Sequence, residues 1–106
     1  MAILVTGGTK GIGLECARAF AAEAGAVVLN YLHDAQAAAR AAAAVRARGA
    51  DCRVGRADAG TPEGCAALAA AVGARGWRLG QVVHCALDVY VSPALEADPA
   101  RFARAA

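Results

Sequence analysis

The chain has 106 residues, and 11 Lys and Arg against 9 Asp and Glu give a formal net charge of +2. This length allows one domain, and alanine supplies 32 of the hydrophobic residues, so the core is modest. The charge balance, without a basic block, argues against nucleic acid and anionic lipid as partners. No apolar stretch approaches the roughly 18 residues of a membrane span, and no basic n-region is present. We therefore expect a cytoplasmic protein.

The four cysteines lie far apart and include no CxxC pair, which argues against both a zinc site and a redox dithiol. We interpret them as small buried hydrophobic residues and predict no metal site. They are Cys16, Cys52, Cys65 and Cys85.

The first elements in chain order are a strand, a helix and a second strand. Ala2 to Val5 is a short apolar run, and Ile12 to Ala24 has helical spacing at Ile12, Cys16 and Phe20. Gly25 ends this helix, and Ala26 to Asn30 is a continuously apolar strand of the kind found in parallel sheets.

The next elements follow the same alternation. Asp34 predicts the cap of a helix over Ala35 to Arg48, which Gly49 ends, and Asp51 to Arg56 predicts a third strand. Thr61 and Pro62 predict the start of a third helix, which runs to about Arg75.

The last elements are a fourth strand over Gln81 to Ala86 and a helix announced by Asp98-Pro99. Strands that alternate with helices of about 12 to 15 residues predict right-handed βαβ units. The fold class is therefore α/β, with a doubly wound parallel sheet in the order 3-2-1-4 between two helix layers.

The most informative segment is the glycine-rich turn between the first strand and the first helix. Gly7 allows a tight turn, Gly11 allows a phosphate to approach the main chain, and Gly13 allows the helix to pack closely on the sheet. The N–H groups of the helix would then face a pyrophosphate. This context predicts a dinucleotide site, with a purely structural turn as the alternative.

The spacing of this turn, Thr-Gly-x-x-x-Gly-x-Gly, resembles that of the classical short-chain dehydrogenase/reductase family, and the resemblance extends over the whole chain. It implies the first half of a Rossmann-type fold. Asp58 matches the family's aspartate near the adenine ring, beside Ala59, although a loop or capping role is the alternative. Only Ala86 of His84-Cys85-Ala86-Leu87 matches the family's Asn-Asn-Ala-Gly, and the resemblance places it against the ribose.

His84 has no matching family residue, and we favour a structural role for it. A His-Cys pair here is also reminiscent of enoyl-thioester reductases in the family, so that activity is kept as an alternative.

The choice of cofactor depends on the end of the second strand. An NAD enzyme normally places a carboxylate there, but this chain has Asn30 and Tyr31. Lys10 matches a basic position that pairs with the 2′-phosphate in NADP-preferring members, although an ordinary solvated lysine is the alternative. Asp34 could serve as an NAD-type acid, but we assign it to the helix cap. NADP(H) is therefore favoured over NAD(H).

No catalytic residue is predicted. The family's Tyr-x-x-x-Lys pair is absent, since neither Tyr31 nor Tyr90 has Lys four residues later, and Ser92, the only serine, precedes Pro93 in a turn. We therefore interpret residues 1–106 as the NADP(H)-binding domain of a longer reductase that transfers hydride between NADP(H) and a carbonyl or alcohol substrate. A non-catalytic binding module and a degenerate fragment are the alternatives, and homo-oligomerisation is left open.

The predicted cofactor-binding residues lie at the ends of strands or directly after them. They are Gly7, Thr9, Lys10, Gly11, Ile12, Gly13, Asn30, Tyr31, Asp58, Ala59, Cys85 and Ala86.

Overall fold

The computed structural model describes residues 1–86, 95, 99 and 100. Its strands are β1 (Ala2–Thr6), β2 (Ala26–Tyr31), β3 (Asp51–Arg56) and β4 (Leu79–His84), and its helices are α1 (Gly11–Ala24), α2 (Ala35–Arg46) and α3 (Pro62–Ala74). The strands form one parallel sheet in the order β3-β2-β1-β4. The predicted α/β fold and its strand order are therefore confirmed.

Helices cover both faces of the sheet, which explains why β1 and β2 are apolar at successive positions. On one face, Val5 and Leu29 pack with Ala17 of α1 and Val45 of α2. On the other face, a smaller cluster joins the sheet to α3. It consists of Leu4, Val28, Leu68 and Val72. These two clusters establish the predicted three layers.

The starts of α2 and α3 are fixed by the capping residues that the sequence indicates. Asp34 Oδ1 accepts a hydrogen bond from Ala37 N at 2.9 Å, and Thr61 Oγ1 accepts one from Gly64 N at 3.0 Å. The predicted end of α2 at Arg48 is wrong, because the helix ends at Arg46. The N–H groups of Arg48 and Gly49 bond to carbonyls three residues back, which tightens the turn at Gly49.

The predicted range of β4, Gln81 to Ala86, lies too far toward the carboxyl end, because the strand is Leu79–His84. Leu79 already pairs with Ala2, across an irregularity in register between Ala2 and Ile3. After His84, the N–H of Ala86 turns to the side chain of Thr6 and leaves the strand ladder. β4 lies at the edge of the sheet, and Val82 is 55% exposed.

The residues that predict α1 lie only partly on the face that the helix buries. Ile12 is 78% exposed and Phe20 is partly buried against the core, whereas Gly13, Ala17 and Ala21 are buried. At Gly13 a small residue is required because the helix approaches the glycine-rich turn there.

The prediction that all four cysteines are buried is wrong. Cys52 is fully buried, Cys16 and Cys85 are partly buried, and Cys65 is exposed. The face of α3 that packs on the sheet carries Leu68 and not Cys65. The Asp98-Pro99 helix signal depends on Asp98, which, like Leu87, Tyr90, Ser92 and Pro93, lies outside the described residues.

Candidate functional site

The predicted site residues follow the carboxyl ends of four neighbouring parallel strands, so the fold brings them to one edge of the sheet. The glycine-rich turn follows β1, Asn30 and Tyr31 end β2, residues 58 and 59 follow β3, and residues 85 and 86 follow β4. In open α/β sheets, ligands bind at this edge. Two buried side chains, Asn30 and Thr6, connect these strand ends.

Asn30 joins the glycine-rich turn to the end of β3. Its side chain is buried, its Oδ1 accepts a hydrogen bond from Gly7 N at 3.3 Å, and its Nδ2 donates to Ala57 O at 2.8 Å. The backbone carbonyl of Asn30 also accepts a hydrogen bond from Gly8 N. Asn30, which the sequence predicts to bind the cofactor, therefore also holds the turn in position.

Thr6 joins the end of β1 to the end of β4, a role that the sequence analysis missed. Its buried hydroxyl oxygen accepts hydrogen bonds from Cys85 N at 3.1 Å and Ala86 N at 3.3 Å. It also lies within hydrogen-bond distance of His84 Nδ1, at 2.7 Å. The favoured structural role of His84 is consistent with this contact. The signal available in the sequence was a hydroxyl residue directly before the turn.

The glycines of the turn serve two different needs. A Cβ on Gly13 would lie 2.2 Å from Gly7 O, and a Cβ on Gly7 would lie 2.9 Å from the backbone of Ala86, so both positions require close packing. Gly11 differs, because a Cβ there would meet no atom within 4 Å, and its φ is +54°. The structure therefore leaves open space at Gly11 where a ligand can approach the main chain.

The N-terminus of α1 suits an anionic ligand. Its first turn has no side-chain cap and no acidic residue, whereas α2 and α3 are capped by Asp34 and Thr61. The first N–H groups of a helix have no partner within the helix, and they carry partial positive charge. The donors of α1 therefore match the phosphate groups of a dinucleotide.

Lys10, the residue before α1, forms an ion pair with Asp34. The distance between Lys10 Nζ and Asp34 Oδ2 is 2.9 Å, and both side chains are substantially exposed. The hydrogen bond from Ala37 N, and then Lys10, holds the pKa of the Asp34 carboxyl below its ordinary value. Asp34 caps α2 as predicted, and the same carboxylate also engages the only lysine of the chain.

The remaining predicted residues lie at the same edge of the sheet as this turn. The carboxylate of Asp58 accepts a hydrogen bond from Gly60 N at 2.9 Å, which is the loop role that the sequence left open. Asp58 is exposed, while Ala59, Tyr31 and Cys85 are partly buried. Thr9 is buried, with 9% of its surface exposed, and Ile12 projects into solvent. The structure therefore brings residues from all four strand ends to the edge that carries the turn.

The described residues contain no helix that is long and apolar enough to span a membrane. Within the same part of the chain, no group of three or more His, Cys, Asp or Glu side chains is arranged to hold a metal ion.

Comparisons with known proteins agree on one family. The family model for short chain dehydrogenases matches residues 1–105. Versicolorin reductase 1 of Aspergillus parasiticus is 40% identical over 67 residues, which cover 63% of this chain and 26% of that protein.

Solved structures of similar proteins cover nearly the whole chain. A protein of Burkholderia cenocepacia, described as a dehydrogenase and crystallised with bound NADP, is 29% identical, with a TM-score of 0.86 over 98% of this chain and 40% of its own. A dehydrogenase/reductase of Sinorhizobium meliloti 1021 is 31% identical, with a TM-score of 0.84 over 95% of this chain and 40% of its own. The chain thus spans well under half the length of each of these relatives.

Proposed function

This chain belongs to the short-chain dehydrogenase family, and we propose that residues 1–106 form the NADP(H)-binding domain of an oxidoreductase. The whole protein would transfer hydride between NADP(H) and a carbonyl or alcohol substrate. The observation that carries this proposal is the uncapped N-terminus of α1 beside the open space at Gly11. Together, these two features fit a phosphate group.

In this proposal, the chain binds and orients the cofactor. The N–H groups at the start of α1 would hold the pyrophosphate, with Thr9 and Ile12 on either side of Lys10 and Gly11 in the same turn. Asp58 and Ala59 would border the adenine, and Cys85 and Ala86 the ribose. A bound nicotinamide dinucleotide would supply the hydride. Buried Asn30 and Thr6 would keep these groups in place without touching the cofactor.

The preference for NADP(H) over NAD(H) is proposed on the charge of Lys10. Its side chain is 66% exposed at the glycine-rich turn, and its ammonium would pair with a 2′-phosphate. Asn30 adds no negative charge at the end of β2, and Tyr31 has no carboxylate.

The reaction itself is proposed for a longer polypeptide. The family reaction, as the resemblance implies, uses a Tyr-x-x-x-Lys pair, which this sequence does not contain. A lysine beside the tyrosine lowers the pKa of the phenol, so that the phenol can exchange a proton with the substrate oxygen. We therefore assign cofactor binding to these residues and proton transfer to residues outside them.

Two glycine substitutions test this proposal. Gly11→Ala places a methyl group in the open space, and Gly25→Ala is its matched control at the other end of α1. Both glycines have positive φ, +54° and +75°, and neither would bring a Cβ within 4 Å of another atom. Each variant should therefore lose about 1 kcal/mol of stability through backbone strain.

Only Gly11→Ala should weaken the binding of NADPH, by roughly tenfold, as a fluorescence titration would measure. Circular dichroism would check that both variants are folded. Equal affinity of Gly11→Ala and Gly25→Ala for NADPH would contradict the proposal, as would the absence of any saturable NADPH binding by the folded parent chain.

A further inference from the structure

The ion pair between Lys10 and Asp34 connects two elements at the carboxyl edge of the sheet. Lys10 belongs to the turn after β1, and Asp34 lies between β2 and α2. The two oxygens of the Asp34 carboxylate have different partners. Oδ1 accepts the hydrogen bond from Ala37 N, and Oδ2 contacts the ammonium of Lys10. The carboxylate is therefore held in one orientation by the helix that it caps.

This ion pair lies on the side of the site where dinucleotide-binding folds distinguish their cofactors. There, an acid after the second strand bonds to the ribose 2′-hydroxyl of NAD, or a cation accommodates the 2′-phosphate of NADP. Asn30 does not compete for either role, because its amide is buried and bonded to backbone groups.

Two other cations lie near the end of β2. The guanidinium of Arg56 donates to Leu32 O at 3.1 Å, and Arg40 on α2 lowers the pKa of the Asp34 carboxyl by less than Lys10 does. Asp34 is the acid among these groups, and Lys10 is the cation that forms an ion pair with it.

We propose that Asp34 is a specificity-determining residue that restrains the binding of NADP(H) relative to NAD(H). It does so in two ways: its negative charge repels a 2′-phosphate, and its Oδ2 occupies the ammonium that would otherwise pair with that phosphate. This inference rests on the proposed function, because it concerns the same dinucleotide site.

The decisive variant is Asp34→Asn. Asparagine caps helices about as well as aspartate, so the start of α2 is preserved while the negative charge is removed. We expect the affinity for NADPH to rise about fivefold and the affinity for NADH to change less than about twofold, since the pair is exposed and partly screened by salt. Isothermal titration of both nucleotides at low ionic strength would measure the ratio.

Asp51→Asn is the matched control. Asp51 forms a similarly exposed ion pair with Arg53, at 3.6 Å, but it begins β3 and so lies at the opposite edge of the sheet. Its substitution changes the net charge of the protein by the same amount and should leave the NADPH to NADH ratio unchanged. An equal rise in both variants would overturn the inference, because it would reveal a general effect of net charge.

A double variant separates the two contributions of Asp34, which are its own negative charge and its ion pair with Lys10. The Lys10→Gln variant has no ammonium to release from the ion pair. Adding Asp34→Asn to that variant should therefore raise the affinity for NADPH by less than the same substitution does in the parent chain. An undiminished gain would overturn the part of the inference that depends on the ion pair.

The outcomes also separate this inference from the proposed function. If the folded parent binds neither NADPH nor NADH, the proposed function fails and this inference fails with it. If the parent binds NADPH and the ratio is the same in Asp34→Asn, only the specificity role of Asp34 is overturned.

Discussion

Asn30 holds one side of the glycine-rich turn and Thr6 holds the other, and the two side chains have different surroundings. Asn30 lies in β2, a central strand that is mostly buried, and its amide bonds to Gly7 N and to Ala57 O. Thr6 is equally buried, but the N–H groups that it holds directly follow β4, whose residues are mostly exposed. The β2–β3 side is thus fixed by a side-chain amide inside the core, and the β4 side by one hydroxyl at an edge.

This contrast teaches which half of the site is preorganised by the described residues. On the β2–β3 side, the sheet is packed against both helix layers, and Arg46 ties the end of α2 to Cys52 O through two hydrogen bonds. On the β4 side, Leu79 and Val82 are 43% and 55% exposed. Substitutions on the two sides should therefore differ in cost.

The largest effect is expected for Asn30→Ala. It would leave Gly7 N and Ala57 O without their partner in a buried place, at a cost of about 3 kcal/mol. Urea unfolding would measure this loss. Gln36→Ala removes an exposed amide from α2 and should change stability by less than about 0.5 kcal/mol. Similar losses for the two variants would show that the buried amide does not hold the turn.

A smaller effect is expected for Thr6→Val, which preserves the side-chain shape and removes the hydroxyl. The N–H groups of Cys85 and Ala86 would lose their acceptor, at a cost of about 1 to 2 kcal/mol. Ala86 is exposed, so water offsets part of the loss. Thr6→Ser retains the acceptor and should recover most of the stability in the same urea measurement. A loss as large as that of Asn30→Ala would remove the difference between the two sides.

The burial of the Cys52 thiol on the β2–β3 side makes the stability of the chain depend on pH. Burial raises the pKa of this thiol to about 11, from an ordinary value of 9.0, so the folded chain retains the proton more strongly than the unfolded chain. The free energy of unfolding should therefore fall as pH rises from about 9 to about 11, by about 1 kcal/mol between pH 9 and pH 10. Denaturation curves at these pH values would measure the slope.

Cys52→Ala is the control for that slope, because it removes the titrating group. Other groups also titrate in this range, so the relevant quantity is the difference in slope between the parent chain and the variant. Identical slopes would show that the thiol is accessible to solvent in the folded state.

The smallest effect is expected for Val82→Thr on β4. Val82 is 55% exposed, so the added hydroxyl remains hydrated and stability should change by less than about 0.5 kcal/mol. Its counterpart is Val28→Thr on β2, where the residue is 3% exposed and a buried hydroxyl should cost about 1 to 2 kcal/mol. Thermal unfolding of the two variants would compare the strands directly, and equal costs would indicate that β4 is covered in solution.

Local signals in the sequence were sufficient for most of the fold. Asp34 and Thr61 predicted helix starts correctly, because capping depends on residues within one turn. The apolar runs at β1 and β2 predicted buried parallel strands, since both faces of such strands are covered. The glycine spacing also identified the turn correctly as the junction between β1 and α1.

The remaining features depend on contacts between distant parts of the chain. Burial of Gly13 instead of Ile12 follows from the approach of Gly13 to Gly7 O, and alanine-rich helices provide little contrast between their faces. The burial of Asn30 depends on carbonyls more than 20 residues away, as the Gly55 and Ala57 contacts show. Neither the hydroxyl bonds of Thr6 nor the pairing of Lys10 with Asp34 has a local signature in the sequence.

The hydrogen bonds from Gly7 N and Gly8 N to Asn30 have a consequence for hydrogen exchange. Amides in surface turns ordinarily exchange with solvent quickly, because small local openings expose them. These two amides bond to a buried residue of β2, so we expect them to exchange more slowly than other turn amides, as hydrogen-exchange measurements would check. The start of the turn thus belongs to the same cooperative unit as the core, and a ligand meeting it would find a surface that is already ordered.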